Sequence, residues 1–221
     1  MVKVCFITIG QSPRDDVLLE INPLLVGIEI RQKGVLDNMT EEEIMKELSP
    51  VGGDILVSKL RSGKEVRLDR KKVIARLKDL IRECERENDV LVLLCTDEFS
   101  QLSSTKLLLR PYYLMRNLVM SFEGAEKIGV LVPLREQIGM AVKKWSNIGE
   151  VIVEAFSPYS GKIESLISIA DRFRDTDLII LDCIGYKLIH KKVLRNRTGK
   201  PVILPKTLLA RTIREVFTDM L

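Results

Sequence analysis

Two cysteines stand where a thiol could do chemistry, each directly after a short apolar run. Cys183 follows Leu178–Leu181 and is followed by Gly185, while Cys95 follows the run Asp89–Leu94. Apolar runs of this length predict buried strands of a parallel sheet. Because ligands of open α/β sheets bind outside the carboxyl ends of the strands, the sequence places one candidate reactive thiol in each half of the chain.

A thiol in this position could transfer protons. An ordinary cysteine has a pKa of about 8.5, and a helix N-terminus close to it favours the thiolate. Helices are predicted soon after Cys95 and Cys183, whereas Asp97, Glu98 and Asp182 would oppose a thiolate if they pointed at the sulfurs. If the two halves face each other, the thiols meet across a cleft, as a two-base proton-transfer enzyme needs. The alternative is that both side chains are small apolar caps on buried strands.

The turn after the first predicted strand, Val2–Ile9, is a candidate anion site. Its sequence continues Gly10-Gln11-Ser12-Pro13-Arg14, which predicts a helix with Ser12 as N-cap and Pro13 in the first turn. Helix N-termini bind anions, and glycine lets the backbone approach a ligand. We therefore predict that Gly10, Gln11, Ser12 and Arg14 bind a substrate carboxylate. An ordinary strand-to-helix turn is the alternative.

Other residues near the cysteines receive supporting roles. Thr96 and Gly185 would supply hydroxyl or backbone donors to a carboxylate, and Tyr186 would either line the ligand site or pack in the core. His190 lies about two helical turns beyond Cys183, so we expect it on a helix surface, with a catalytic role as the alternative.

The composition narrows the class of protein. The chain has 221 residues, of which 46% are hydrophobic and 30% charged, with a net charge of +4. The charges are interspersed, which argues against a nucleic-acid partner, and no apolar run reaches the roughly 18–20 residues that span a membrane. The four cysteines lack the spacing of a metal site or a disulfide framework, so we expect a cytoplasmic protein with reduced thiols and no metal or cofactor. Abundant lysine, arginine and glutamate favour a thermophilic source.

Strands alternate with helices along the chain, which predicts an α/β fold with parallel sheets. The predicted strands are 2–9, 27–35, 89–94, 127–132, 151–156, 178–181 and 201–204, with a β-hairpin at 54–68. The first predicted helix begins at Pro13. The other predicted helices cover 40–48, 69–87, 111–122, 136–145, 162–173, 187–197 and 207–221. A break at 123–126 predicts two lobes, 1–124 and 125–205, with the final helix (206–221) packing back onto the first.

Three segments also carry a resemblance to a known family. They are Thr8-Ile9-Gly10-Gln11-Ser12-Pro13-Arg14, Leu181-Asp182-Cys183-Ile184-Gly185-Tyr186, and Pro201–Leu204 with Leu209-Ala210-Arg211. Together they resemble the AroM family, which is similar to the aspartate/glutamate/hydantoin racemase superfamily. The resemblance implies two Rossmann-like lobes related by a pseudo-twofold axis, with a ligand cleft between them. It places Cys95 and Cys183 where those racemases carry their two cysteines, although this chain lacks the usual asparagine after the first and has Asp182 before the second.

The function that the resemblance implies is cofactor-independent racemisation or isomerisation of a small carboxylate, an amino acid or a dicarboxylate. Cys95 and Cys183 would be catalytic. The substrate-binding residues would be Thr8, Gly10, Gln11, Ser12, Arg14, Thr96, Gly185 and Tyr186. Two alternatives stay open: a cysteine-dependent decarboxylase or maleate-type isomerase, and a non-catalytic protein that binds a small ligand. A homodimer is also left open.

Overall fold

The computed structural model describes residues 1–218 and divides the chain into two compact units. Met1–Tyr112 and the segment from Leu209 onward form the first unit, and Tyr113–Leu208 forms the second. Each unit contains one parallel four-stranded sheet, which confirms the predicted α/β fold class. The last three residues of the predicted final helix, 219–221, lie outside the described residues.

The first unit is built around a sheet with a central buried strand. Its elements are β1 (Lys3–Thr8), α1 (Asp15–Leu18), β2 (Glu29–Gly34), α2 (Glu41–Leu48), β3 (Ile55–Lys59), β4 (Glu65–Asp69), α3 (Arg70–Glu85), β5 (Val90–Leu94) and β6 (Leu107–Leu109). The strand order is β2-β1-β5-β6. Both β1 and β5 are almost entirely buried because they have a strand on each side and are covered on both faces.

The second unit repeats this plan with its own sheet. Its elements are α4 (Pro111–Met120), β7 (Lys127–Val132), α5 (Ile138–Trp145), β8 (Glu150–Ala155), α6 (Ile163–Ala170), β9 (Leu178–Leu181), α7 (Leu188–Thr198), β10 (Val202–Ile203) and α8 (Pro205–Phe217). The boundaries between the two units fall within α4 and α8. The strand order is β10-β9-β7-β8. Strand β9 has a neighbour on both sides, and all four of its residues are buried.

Local sequence signals explain two helices of the first unit. A capping box opens α2, since Thr40 accepts from the Glu43 backbone and the Glu43 side chain accepts from the Thr40 backbone. Helix α3 begins at an N-cap, Asp69, whose carboxylate accepts from the Lys72 backbone. The predicted hairpin is also confirmed, because β3 and β4 pair antiparallel.

Three predicted element boundaries are wrong. Ser12 does not cap the first helix, which begins at Asp15 and has Arg14 in the N-cap position without a side-chain cap. The predicted strands omit β6, a three-residue strand whose pairing with β5 adds it to the edge of the sheet. The predicted helix 162–173 is α-helical only to Ala170 and then tightens into a 3-10 turn. For Ser12 and for β6 the deciding contacts are to distant segments, Asp37 and β5, which the residues themselves do not reveal.

Candidate functional site

Cys183 lies immediately beyond the carboxyl end of β9, as the sequence predicts. The chain leaves the sheet at Asp182, whose N–H still donates to the carbonyl of Leu131, and helix α7 starts a few residues later. The Gly185 N–H points at the Cys183 sulfur, with 3.4 Å between the two heavy atoms. A backbone N–H directed at a sulfur favours the thiolate over the thiol. The turn thus joins a buried strand, a thiol and a donor to that thiol.

The negative charge of Asp182, beside this turn, is compensated by residues of α5. Its carboxylate accepts from Lys144 Nζ at 2.8 and 2.9 Å and from Trp145 Nε1 at 2.8 Å. The Asp182 side chain is 4% exposed and that of Lys144 is 13% exposed, so the ion pair is largely buried. The end of α5 therefore neutralises the aspartate that the sequence places beside the thiol.

The Tyr159 ring approaches Gly185 closely. A Cβ at position 185 would lie 2.5 Å from the Tyr159 hydroxyl oxygen, a distance that real Cβ atoms do not show. Tyr159 belongs to the loop after β8 and is half-buried. Sequence analysis missed Tyr159. Its loop follows β8, a strand of the same parallel sheet as β9, so the sequence could have placed it at the same sheet edge as Cys183.

Tyr186 and His190 pack beneath the turn. Tyr186 is fully buried, and its hydroxyl donates to the Phe156 carbonyl at 2.7 Å. His190 is buried rather than on the helix surface, and its Nδ1 accepts from the Lys187 N–H at 3.1 Å. The imidazole makes edge-on contacts with the rings of Phe156 and Tyr186, at centroid distances of 5.4 and 5.7 Å. These contacts hold the start of α7 against the core and so fix the turn that carries Cys183.

Cys95 follows β5 in the first unit and is half-buried, next to the buried Thr96. Arg70, the first residue of α3, lies beside this loop: its guanidinium pairs with Asp97 and lies 5.5 Å from the centre of the Phe99 ring. Burial lowers the pKa of Arg70, but Asp97, Asp54 and Cys95 together outweigh it and raise the pKa. Arg70 is therefore a fixed positive charge within electrostatic range of the Cys95 sulfur.

Sequence analysis did not single out Arg70, which lies in the predicted helix 69–87. The available signal was the position of Arg70 in the first turn of α3. A cation there is destabilised by the helix dipole, so a carboxylate close to it could have been expected. Asp97 supplies that carboxylate from the loop after β5.

The turn after β1 holds a carboxylate, but it is one from the chain itself. Asp37, in the segment after β2, accepts from the Ser12 N–H at 2.6 Å and from the Ser12 hydroxyl at 2.7 Å. It also accepts from the Gly34 N–H at 2.7 Å and from Arg61 Nη2 at 3.1 Å. The donors that we predicted for a substrate carboxylate at Ser12 are thus engaged by Asp37.

The remaining residues of this turn are also held by internal contacts. The Gln11 amide donates to the carbonyl of Met39 at 3.1 Å, and its oxygen accepts from the Arg61 N–H at 2.9 Å. A Cβ at Gly10 would lie 2.3 Å from the Ser58 hydroxyl oxygen, so this glycine is required by the β3–β4 hairpin.

Arg14 is likewise used inside the first unit and is only 2% exposed. It donates to both carboxylate oxygens of Asp16 at 2.8 and 2.9 Å and to the Thr8 hydroxyl at 3.2 Å. Because Thr8 is paired with Leu94 in the sheet, this turn and the Cys95 loop follow neighbouring strands at one edge.

Replacing Asp37 by alanine is expected to destabilise the protein by about 2 kcal/mol, because hydrogen bonds to a charged group are each worth about 1.5–3 kcal/mol and the Ser12 donors are buried. Urea denaturation of the full chain measures the change. The matched control is Asn38→Ala at the exposed neighbouring position, which we expect to shift the free energy of unfolding by less than about 0.5 kcal/mol. Equal effects of the two substitutions would show that Asp37 does not hold the turn.

The predicted site residues thus fall into two groups, one at a sheet edge of each unit. Around the first sheet lie Thr8, Gly10, Gln11, Ser12, Arg14, Cys95 and Thr96, and around the second lie Cys183, Gly185 and Tyr186. Across residues 1–218, no three or more His, Cys, Asp and Glu side chains are grouped so that they could hold a metal ion. None of the helices in this described part is long and apolar enough to cross a membrane.

The sequence matches one family model over nearly its whole length. The model of the AroM protein family matches residues 4–217. No curated protein sequence matches the chain. The family match includes all three segments from which the resemblance was drawn.

Solved structures of several enzymes share the fold. Unliganded arylmalonate decarboxylase has a TM-score of 0.61 at 13% identity, covering 98% of this chain and 94% of that one. Allantoin racemase from Klebsiella pneumoniae has a TM-score of 0.61 at 13% identity, with coverages of 98% and 87%. The maleate isomerase from Pseudomonas putida S16 has a TM-score of 0.62 at 14% identity, with coverages of 98% and 93%. At these identities the likeness shows a common fold.

Proposed function

The chain belongs to the AroM family, and from this premise we propose that it is a cofactor-independent enzyme that racemises or isomerises a small carboxylate through cysteine thiols. The substrate class is an amino acid or a dicarboxylate. The observation that carries the proposal is the turn after β9, where the Gly185 N–H lies 3.4 Å from the Cys183 sulfur. A thiol at a strand end, with a donor directed at it, suits the proton transfer that such a reaction requires.

In the proposed reaction one cysteine acts as thiolate and the other as thiol. The thiolate takes the α-proton, so an S–H bond forms and the electrons of the broken C–H bond move into the adjacent carboxylate, giving an enediolate. The second thiol then returns a proton to the opposite face of the same carbon. We assign these two roles to Cys183 and Cys95 without choosing which is the initial base.

The surroundings of Cys95 support its part in this proposal. A positive charge near a cysteine favours the thiolate, and Arg70 supplies one that is held in place by Asp97. Asp97 also limits the effect, because its carboxylate neutralises much of the guanidinium charge. The guanidinium of Arg70, held beside this loop, is therefore the observation that supports Cys95 as a reactive thiol.

We propose that the substrate carboxylate binds at the Gly185 turn, where backbone N–H groups are at hand. The role of Thr96 as a hydroxyl donor stays a prediction. The donors of Gln11, Ser12 and Arg14 already bond within the chain. For that reason we do not extend the proposed carboxylate contact to these three side chains.

A second candidate function uses a single reactive cysteine. The two thiols have different surroundings, since a backbone donor serves Cys183 whereas an ion pair lies beside Cys95. This asymmetry favours a decarboxylase, in which one thiol protonates the enediolate left after carbon dioxide departs. It equally suits a maleate-type isomerase, in which one thiolate adds to the double bond and is later eliminated. Solved enzymes of both kinds share the fold.

The experiment is a panel of amino acids, hydantoins, substituted malonates and maleate, incubated with the protein in deuterated water and followed by NMR. Deuterium at an α-carbon with loss of optical purity supports the two-thiol reaction. Release of carbon dioxide or conversion of maleate to fumarate supports the single-thiol reaction. Binding of panel members without any conversion would contradict both and identify a ligand-binding protein.

A further inference from the structure

The other two cysteines lie together in the core of the first unit. Cys5 is on β1 and Cys84 is in the last turn of α3, and their sulfurs are 3.3 Å apart with the Cys5 thiol donating to Cys84. Cys5 is 0% exposed and Cys84 is 3% exposed. Sequence analysis placed each of them in an apolar pattern but did not indicate that they touch.

This arrangement is close to that of a disulfide. A disulfide bond is about 2.0 Å long, so the sulfurs must approach each other by about 1.3 Å. Both cysteines sit on regular elements of one core, and small side-chain rotations can supply such a movement without breaking the sheet. We propose that Cys5 and Cys84 are a disulfide-forming pair, which a peroxide converts into a covalent link between β1 and α3.

The electrostatics of the pair supports an order of events. The hydrogen bond to Cys84, together with burial, raises the pKa of Cys5, while acceptance of that bond lowers the pKa of Cys84. Cys84 therefore loses its proton before Cys5 does, because the Cys84 thiolate accepts a hydrogen bond from the Cys5 thiol. The nearby ion pair of Lys33 and Glu83 does not add to this effect, because Glu83 raises the pKa of Cys84 while Lys33 lowers it.

The reaction balances with hydrogen peroxide as the oxidant. The Cys84 thiolate attacks one peroxide oxygen, the O–O bond breaks, and a sulfenic acid and hydroxide form. The Cys5 sulfur then attacks the Cys84 sulfur, the S–O bond breaks, and water leaves with the proton of Cys5. Overall, two thiols and one peroxide give one disulfide and two waters.

The link would have a measurable effect on stability. It would close a loop that runs from β1 to the end of α3 and contains α1, β2, α2 and the hairpin. A disulfide across so long a loop restricts the unfolded chain strongly, and for a protein of this size we expect the unfolding temperature to rise by about 10 °C.

The test starts from the fully reduced full-length protein, treated with hydrogen peroxide and then blocked with N-ethylmaleimide. We expect a tryptic peptide containing Cys5 joined to one containing Cys84, with the loss of two hydrogen atoms. The unfolding temperature should rise and should return to its original value after reduction with dithiothreitol. The Cys95→Ser variant should give the same linked peptide, whereas Cys84→Ala should give neither the link nor the temperature rise.

Several results would overturn the inference. One is peroxide treatment that oxidises Cys95 or Cys183 while Cys5 and Cys84 stay reduced. Another is a disulfide that joins a different pair. A Cys5–Cys84 link that lowers the unfolding temperature would also contradict it, because the proposed bond forms without distorting the core. The peptide map of the wild-type protein decides the question even if a variant folds poorly.

Discussion

Replacing Cys183 by serine is expected to lower the turnover of any converted carboxylate by about 10²- to 10⁴-fold, the range that a positioned proton-transfer group contributes. Serine keeps the size of the side chain and can still accept from the Gly185 N–H. Its hydroxyl is a far weaker acid than a thiol, so it neither gives nor takes a proton readily at neutral pH. The turnover measured by NMR with the best substrate of the panel gives the size of the effect.

The other cysteines provide matched controls for this substitution. Cys84→Ala lies in the core of the first unit and should leave the turnover of the folded protein unchanged. Cys95→Ser distinguishes the two candidate mechanisms, because a loss as large as that of Cys183→Ser supports two thiols and a small loss supports one. Full turnover by a folded Cys183→Ser variant would remove Cys183 from the chemistry and contradict the two-thiol mechanism.

Replacing Asp182 by asparagine is expected to reduce the free energy of unfolding by about 3 kcal/mol. Removing one partner of a buried ion pair costs about 3–5 kcal/mol, and the slight exposure of Lys144 places this pair at the lower end. Asparagine keeps the shape of the side chain and can still accept from the Trp145 ring nitrogen. The loss therefore reports the missing negative charge beside Lys144, and chemical denaturation measures it.

The control for this prediction is an ion pair on the surface of the same unit. Asp171 accepts from Arg174 and Arg197 at 2.8–2.9 Å, yet its partners are about half exposed. Solvent screens the charges of surface ion pairs, so Asp171→Asn should have a clearly smaller effect than Asp182→Asn. An Asp182→Asn variant as stable as the wild type would show that the aspartate is not a structural partner of α5.

The sheets and the positions of the two cysteines could be predicted because their signals are local. The buried run Leu178–Leu181 and the residues that follow it are adjacent in sequence, so the pattern alone places Cys183 at a strand end. The same holds for Cys95 after β5. The capping box at Thr40 and the hairpin turn are also short-range signals, and the helix and the hairpin predicted there were confirmed.

The contacts around the turn after β1 could not be predicted because they join distant segments. Asp37 and Arg61 lie 25 and 49 residues from Ser12, and nothing in their local sequence indicates that they meet it. An anion-binding pattern at Ser12 was recognisable, but whether the anion comes from outside or from the chain depends on the fold. The contact between Cys5 and Cys84, 79 residues apart, was hidden for the same reason.

The most direct test of the central claim, that Cys183 belongs to a small-carboxylate site, is alkylation of the reduced native protein by iodoacetamide. Peptide mass spectrometry follows each thiol with and without the carboxylate panel. We expect Cys95 and Cys183 to react before the more deeply buried Cys84 and Cys5, and at least one carboxylate to slow Cys183 in a saturable manner. Reaction of Cys84 ahead of both, or a Cys183 rate that no carboxylate changes, would contradict the proposed site.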